Sequence, residues 1–197
     1  AQINPHFLYN TLNSINWMIR SGKNEEASEM LISLGDLLRA AFKKEQLATV
    51  LEELELARHY IDIQKVRYRR RAEFLVEAEG DLEAYHVPRM ILQPLVENSI
   101  NHGVDNSLNK CRILVRVKEN VEAQTMTLEV EDDGPGMTEE ELEAVRNFTM
   151  VPKGNGIGLK NIRERLNLIF SDAVFEITSQ PGKGTVVRIE IPKYGGK

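Results

Sequence analysis

The groups that could do chemistry lie in four short segments in the second half of the chain. They are residues 97–102 (ENSINH), 132–136 (DDGPG), 154–159 (GNGIGL) and 182–185 (GKGT). Asparagine oxygens suit Mg²⁺, a carboxylate can accept a hydrogen bond from the amino group of adenine, and glycine-rich turns leave backbone N–H groups open to phosphates. Each segment alone is common, but together and in this order they predict a site for Mg²⁺-bound ATP.

The first segment lies on a predicted helix over residues 87–102, with Pro88 near its start and Gly103 just past its end. Asn98 and Asn101 are three residues apart and therefore share one face of that helix. We expect Asn98 to bind Mg²⁺ beside phosphate oxygens and Asn101 to approach the same ligand. The alternative is that both are capping or solvated asparagines near a helix end.

The second and fourth segments place a carboxylate and a hydroxyl beside glycine turns. Asp132 follows a predicted strand over residues 125–131. Gly134 and Gly136 allow a close approach that other residues forbid. We expect Asp132 to hold adenine and Thr185 to place its hydroxyl near the same end of the nucleotide. The alternatives are a plain Asp-Gly turn and a turn that starts a strand.

The third segment contains three alternate glycines, Gly154, Gly156 and Gly158. They precede a predicted helix over residues 159–170, and the first N–H groups of a helix form an anion site. Residues 150–155 would then be a mobile lid in which Lys153 contacts phosphate. The spacing matches neither a P-loop nor a Rossmann fingerprint.

These four segments resemble the N, G1, G2 and G3 boxes of the GHKL superfamily (gyrase, Hsp90, histidine kinase, MutL), over about residues 74–192. The resemblance implies the Bergerat ATP-binding fold, an α/β sandwich in which helices cover one face of a mixed sheet. It also implies Mg²⁺ at Asn98, adenine at Asp132 and a lid between the G1 and G2 boxes. His102 and Leu159, which end the N and G2 segments, join the candidate nucleotide contacts.

One departure from the superfamily concerns hydrolysis. Its ATPases carry a glutamate four residues before the metal asparagine, as the base for the attacking water. This chain has Pro94 at that position, and proline cannot transfer a proton. Hydrolysis is therefore disfavoured, and phosphoryl transfer to another acceptor is favoured. The remaining alternative is a GHKL-fold ATPase or serine kinase without histidine phosphorylation.

An acceptor lies near the start of the chain. Asn4 can cap a helix that has Pro5 at its first position, or a helix arriving from upstream is kinked at Pro5. Both place His6 accessibly at the surface of a helical bundle, with Leu8 and Leu12 facing inward.

Residues 2–13 (QINPHFLYNTLN) and 91–98 (ILQPLVEN) resemble sensor histidine kinases of the LytS/YesM type. The resemblance implies a two-component sensor histidine kinase, in which His6 is phosphorylated from Mg²⁺-ATP within a homodimer and then passes the phosphoryl group to an aspartate of a response regulator.

Three positions bear on how closely the chain follows orthodox histidine kinases. An acidic base usually follows the histidine, but here Phe7 does, so Glu97 from the ATP domain becomes the candidate. Asn101 replaces the common lysine of the N box. Asn10, one turn after His6, matches an amide position implicated in dephosphorylating the regulator.

Composition limits the class of protein and the cellular compartment that fit this chain. The chain has 197 residues and a net charge of −5, which argues against a nucleic-acid binder. Its single cysteine, Cys111, excludes an internal disulfide framework and suits a reducing compartment. The sequence has no apolar run of 18 residues and begins inside a motif. We interpret it as the cytoplasmic portion of a membrane sensor protein, a portion that makes no membrane contact itself.

The elements that must position these groups give an α+β fold with two domains. Residues 1–71 are predicted to form a helical region for dimerisation and phosphotransfer, in which residues 46–71 are a connecting helix and hinge. Residues 72–197 are predicted to form the ATP-binding domain. Thr49 and Glu52 fit a capping box at the start of the connecting helix. Apolar residues recur at helical spacing in the hairpin, so a dimeric four-helix bundle would bury its seam. They are Leu8, Leu12, Ile15, Ile19, Met30, Leu34, Leu37 and Ala41.

Overall fold

The computed structural model describes residues 4–147 and 156–193. In chain order the helices are α1 (Pro5–Arg20), α2 (Asn24–Ala41), α3 (Val50–Arg67), α4 (Leu92–Ser99), α5 (Glu139–Arg146) and α6 (Gly156–Ile169), and a π-helical segment, Ile100–Val104, continues α4. The strands are β1 (Leu47–Thr49), β2 (Ala72–Glu79), β3 (His86–Pro88), β4 (Cys111–Asn120), β5 (Thr125–Asp132), β6 (Val174–Gln180) and β7 (Gly184–Pro192).

The main sheet has five strands in the order β2-β4-β5-β7-β6. The β2 and β4 pair is parallel and the other pairs are antiparallel, so the sheet is mixed. Strand β5 alternates between buried and half-buried residues, the pattern of a strand with one face against a core. Helix α4 contacts β4 and β5, and α5 contacts β6. The predicted α+β sandwich, with helices over a mixed sheet, is confirmed.

The start of α1 follows the first of the two predicted geometries. Asn4 is the N-cap, Pro5 occupies the first turn, and the Asn4 side chain accepts a hydrogen bond of 3.0 Å from the backbone N–H of His6. This cap satisfies an N–H group that the helix itself cannot pair. The N-cap of α2 is Lys23, whose side chain makes no capping hydrogen bond.

The inward face of α1 is a correction. The residues buried within the chain are Phe7, Thr11, Ile15 and Met18. Leu8 is half-buried, and Leu12 is 48% exposed rather than inward-facing. The rings of Phe7 and Tyr60 lie 5.0 Å apart, so the bulky Phe7 sets the orientation of the helix.

The predicted helix over residues 87–102 is also wrong at its start. Val87 pairs with Ala48 of β1, and the short helix α4 begins only at Leu92. Met90 lies between β3 and α4 and has a φ of 60°, in the left-handed region, so regular secondary structure is interrupted there. Val87 and its partner Ala48 are about forty residues apart in sequence, so no local sequence pattern predicts their pairing.

Helix α3 begins as predicted. The side chain of Thr49 accepts from the N–H of Glu52, and Glu52 accepts in return from the N–H of Thr49. The helix contacts α2, α4 and β2, and half of its residues are buried, among them Glu53. No helix in the described ranges is long and apolar enough to cross a membrane.

Candidate active site

A cavity of about 280 Å³ lies among α4, the turn after β5, α5, α6 and β7. Apolar side chains form much of its wall, and half of the six polar residues in the lining come from α4 and the segment after it. The lining residues are Asn98, His102, Asn106, Asp132, Pro135, Gly136, Met137, Glu141, Val145, Leu159, Ile177, Thr185 and Val187. The arrangement suits a flat apolar ring joined to a polar group.

Asp132 is a buried carboxylate in the cavity wall. It is 4% exposed, and its Oδ1 accepts a hydrogen bond of 3.0 Å from the N–H of Gly134. Burial raises its pKa to about 6, while hydrogen bonds from Gly134, the hydroxyl of Ser99 and the N–H of Thr185 oppose that rise. Thr185 lies opposite Asp132 on the neighbouring strand, so the two predicted contacts meet in one cavity.

The helix that carries the N segment presents a different face from the one predicted. Asn98, His102 and Asn106 line the cavity, whereas Asn101 is half-buried and does not. The π-helical segment covers Ile100–Val104, so the spacing of a regular α-helix does not predict which side chains share a face here. Burial lowers the pKa of His102, which favours its neutral ring. Asn106 was missed because the π-helical turn leaves no signature in the sequence.

His6 lies outside the cavity but close to the helix that carries Asn98. Its ring is exposed, and Asn10 Nδ2 lies 3.3 and 3.2 Å from the two ring nitrogens. Asn4 Nδ2 donates a hydrogen bond of 3.1 Å to Glu97 Oε1. Glu97 therefore reaches the His6 turn through Asn4, a link that the sequence did not reveal.

Comparison with known proteins identifies the family. A model described as histidine kinase matches residues 1–72, and one described as histidine kinase-, DNA gyrase B- and HSP90-like ATPase matches residues 86–195, which is more than half of the chain. The chain belongs to this GHKL ATPase family. The predicted resemblance to GHKL proteins and sensor histidine kinases is confirmed, and an ATPase domain of this family implies ATP binding.

Two curated relatives cover nearly the whole chain. The sensor histidine kinase YesM of Bacillus subtilis is 40% identical over 194 residues, which are 98% of this chain and 32% of YesM. The sensor protein LytS of Bacillus anthracis is 32% identical over 201 residues, which are 100% of this chain and 34% of LytS. The chain thus spans about a third of the length of these relatives.

A solved structure supports the fold. The histidine kinase domain of the Erythrobacter litoralis EL346 blue-light activated histidine kinase has a TM-score of 0.56 and 19% sequence identity. The match covers 89% of this chain and 83% of that chain. At this identity the likeness concerns the fold alone.

Gly134 and Gly136 of the G1 box allow close packing against other parts of the protein's own backbone. A Cβ at Gly134 would lie 2.5 Å from the Cα of Gly103, so the G1 turn packs directly on the π-helical segment. Gly136 has a φ of 66°, and a Cβ there would lie 1.9 Å from the carbonyl oxygen of Gln180. Gly136 lines the cavity and Gly134 does not. The predicted close approach is therefore, at Gly134, an approach between two backbones.

The G2 box of this GHKL chain falls partly outside the described residues. Lys153, Gly154 and the predicted lid lie there. Gly156 opens α6, and Gly158 lies exposed in its first turn, with nothing within 4 Å of the place a Cβ would take. Leu159 is buried and lines the cavity. The start of α6 therefore lies beside the cavity, and the first N–H groups of a helix favour an anion, as expected for phosphates.

Lowering the pH from 7 to 5 should weaken nucleotide binding through Asp132. With a pKa of about 6, its carboxyl is about nine-tenths ionised at pH 7 and about one-tenth ionised at pH 5. The neutral carboxyl is the weaker acceptor, so affinity should fall by up to about tenfold. Titration calorimetry with adenosine measures this without interference from titrating phosphates.

Protonation of Asp132 should not unfold the protein in that experiment. Because the pKa of Asp132 is raised above that of the unfolded chain, the folded state holds the proton more tightly, and this group stabilises the fold as pH falls through about 6. An adenosine affinity that stays constant between pH 7 and pH 5 would contradict the assignment of Asp132 to adenine.

Proposed function

We propose that the chain is the kinase core of a two-component sensor histidine kinase, in which His6 accepts the γ-phosphoryl group of ATP and passes it to an aspartate of a response-regulator receiver domain. The observation that carries the proposal is the Asn4 bridge. Its amide joins the N–H of His6 to the carboxylate of Glu97, the residue next to Asn98 in the cavity wall. The names of the relatives and the histidine kinase match over residues 1–72 support the same function.

In the proposed reaction a ring nitrogen of His6 attacks the γ-phosphorus, an N–P bond forms, the P–O bond to ADP breaks, and the ring loses a proton. Asn10 orients the ring through its contacts of 3.3 and 3.2 Å. Glu97 is the candidate proton acceptor, because it lies one side chain away from the His6 turn. Positioning and electrostatics carry most of the acceleration in such a transfer.

Mg²⁺ belongs to the proposal through Asn98. Within residues 4–147 and 156–193 no group of three His, Cys, Asp or Glu side chains could hold a metal ion. An amide oxygen that shares Mg²⁺ with water and phosphate oxygens fits this lining, since Mg²⁺ takes few protein ligands in nucleotide sites. When bound, the ion would neutralise phosphate charge during transfer. We also propose Asn101, Lys153 and Gly154 as phosphate contacts. Asn101 does not line the cavity, and the other two lie outside the described residues.

Hydrolysis by the same site is not favoured. Pro94 lies in the first turn of α4, where its missing N–H costs nothing, and it offers no group that could accept a proton from water. The alternative of a GHKL ATPase or serine kinase also gives no role to the contacts of Asn10 with the His6 ring.

We propose a homodimer through the helical region. Large apolar side chains remain exposed on α1 and α2, and a second hairpin in a four-helix bundle would cover them. They include Leu12 (48% exposed), Trp17 (60%), Ile19 (56%), Leu31 (54%) and Ile32 (62%). The two domains proposed are residues 1–71, for dimerisation and phosphotransfer, and 72–197, for ATP binding. As a cytoplasmic portion of a larger membrane sensor, this part would contact neither membrane nor nucleic acid.

Incubation with γ-labelled ATP and Mg²⁺ tests the function. The chain should acquire a label that acid removes and base does not, the behaviour of phosphohistidine. Chelation of the metal should prevent the labelling, and an added receiver domain should then take the label from the chain. Steady release of phosphate without any label on the protein would instead support an ATPase.

A further inference from the structure

Ser179 is a half-buried serine of β6 that contacts two residues of the cavity wall. Its Oγ accepts a hydrogen bond of 2.9 Å from the N–H of Met137, the residue after the G1 turn. The same Oγ donates to the carbonyl oxygen of Gly184 at 2.8 Å and lies 3.0 Å from Oγ1 of Thr185. Met137 and Thr185 line the nucleotide cavity, whereas Ser179 does not. Ser179 therefore joins two parts of the cavity wall from outside the cavity.

The sheet and the two turns beside it fix the place of this serine. Ser179 pairs with Thr185 in the register of β6 and β7. The G1 turn and the turn over residues 182–184 pack backbone to backbone, since the N–H of Gly182 donates to the carbonyl oxygen of Pro135 at 2.7 Å. A Cβ at Gly184 would collide with the backbone at the end of β5. The hydroxyl of Ser179 thus meets its partners in a closely packed part of the fold.

The hydroxyl protons of this group can be counted. A serine or threonine hydroxyl has one proton to donate and two lone pairs that accept. A carbonyl oxygen only accepts, so the proton of Ser179 is used on Gly184. The contact between the two hydroxyls is then donated by Thr185, which uses its only hydroxyl proton there. Toward any further partner, the hydroxyl of Thr185 is therefore an acceptor only.

This polarity matches that of the neighbouring carboxylate. Asp132 lies opposite Thr185 in the pairing of β5 and β7, and both residues line the cavity. An ionised carboxylate is also an acceptor without a proton to donate. Two acceptors fit the amino group of adenine, which carries two N–H donors. They repel the carbonyl oxygen that hypoxanthine and guanine carry in place of that amino group.

We propose that Ser179 is a specificity-determining residue that holds the hydroxyl of Thr185 as an acceptor, so that the cavity accepts a purine with an amino group and rejects one with a carbonyl oxygen at the same position. This rests on the proposed function, in which Asp132 and Thr185 hold adenine. Ser179 acts through Thr185 without contacting the base, so it is a positioning residue. A serine that only stabilised the fold would affect both bases alike and would leave the preference between them unchanged.

Calorimetry with adenosine and inosine measures the preference. Inosine carries a carbonyl oxygen and a ring N–H where adenosine has its amino group and a bare ring nitrogen, and neither nucleoside has phosphates. At pH 8 the carboxyl of Asp132, whose pKa is about 6, is ionised and cannot donate to the carbonyl oxygen. We expect the unchanged chain to bind adenosine at least about 100-fold more tightly than inosine.

Ser179→Ala removes the acceptor that holds the proton of Thr185. The freed hydroxyl can rotate and donate to the carbonyl oxygen of inosine, so the preference for adenosine should fall to about tenfold or less. Inosine should bind more tightly than it binds to the unchanged chain, a gain that a loss of packing cannot produce. Ser179→Thr keeps the hydroxyl and should keep the preference. Thr178→Ala is the matched control, because Thr178 is exposed and its side chain lies on the opposite face of β6.

Thr185→Val gives a second measurement, because it removes the hydroxyl itself and should also lower the preference. Ser179→Ala added to Thr185→Val should change the ratio of affinities no further, since the serine acts through that hydroxyl. All variants are compared below their melting temperatures.

If Ser179→Ala leaves the ratio unchanged, or if Thr185→Val does, the specificity role of Ser179 is excluded while the proposed kinase function stands. Equal weakening of both nucleosides by Ser179→Ala would also exclude it. If the unchanged chain binds neither nucleoside, the assignment of adenine to the cavity fails, and the role of Ser179 fails with it.

Discussion

Replacement of His6 by glutamine should abolish the acid-labile label while nucleotide affinity stays the same. Glutamine retains a polar side chain of similar length but has no ring nitrogen that could attack phosphorus. The fold should persist, because the His6 ring is exposed and the cap of α1 uses its backbone N–H. We expect a loss of at least about 10³-fold in the labelling rate, as for the removal of other reacting groups. The measurement is acid-labile label per chain, with calorimetry for the nucleotide.

His59→Gln is the matched control. His59 lies on α3 and is partly exposed, with its Nε2 3.7 Å from Asp36 Oδ2. It does not line the cavity, so this variant should label at the normal rate. Undiminished label in His6→Gln, or equal losses in both variants, would move the phosphoacceptor elsewhere in the chain.

Replacement of Asp132 by asparagine should weaken ATP binding by about 100-fold or more. Hydrogen bonds to charged groups contribute about 1.5–3 kcal/mol, and the asparagine amide would turn one donor group toward other donors. The N–H groups of Gly134 and Thr185 donate to the carboxylate, and asparagine has one acceptor oxygen for them and for adenine where aspartate has two. Calorimetry with ATP and Mg²⁺ gives the affinity.

Asp133→Asn is the control for that experiment. Asp133 is exposed, lies outside the cavity and accepts a hydrogen bond of 2.6 Å from the N–H of Arg112 through one oxygen, which asparagine retains. Its ATP affinity should remain within about twofold of the unchanged chain. If Asp132→Asn binds ATP as tightly as Asp133→Asn and the unchanged chain do, then neither carboxylate contacts adenine.

The sequence predicted best what local chemistry determines. The caps at Asn4 and Thr49 depend on residues within three positions and have the expected geometry. A strand was predicted over residues 125–131, just before Asp132, and the pairing of β5 with β7 brings Asp132 and Thr185 to one cavity. Helix α5 was missed although Thr138 and Glu141 form a capping box that the sequence displays.

The errors have a different physical origin. Val87 becomes a strand because β1 pairs with it, and such a partner, distant in sequence, outweighs local propensity. Asn101 does not line the cavity with Asn98, and the π-helical segment changes the helical spacing on which the prediction of a shared face relied. Leu12, predicted to face inward, is exposed in the single chain, which has more apolar positions on α1 than one hairpin can cover; the proposed second hairpin would bury it. The backbone hydrogen bond that Ser179 accepts joins residues 42 positions apart, so only the folded chain reveals it.

Helix α1 has apolar side chains on two sides. Phe7 holds one side to α3, while Leu12 and Trp17 leave another side free for a second hairpin. A helix that makes contacts on two sides can transmit a rotation from one contact surface to the other. If a second hairpin pairs there, as proposed, a rotation of α1 at that surface would also turn the exposed His6 ring, which lies on the same helix, and the reactivity of the proposed acceptor would depend on that rotation.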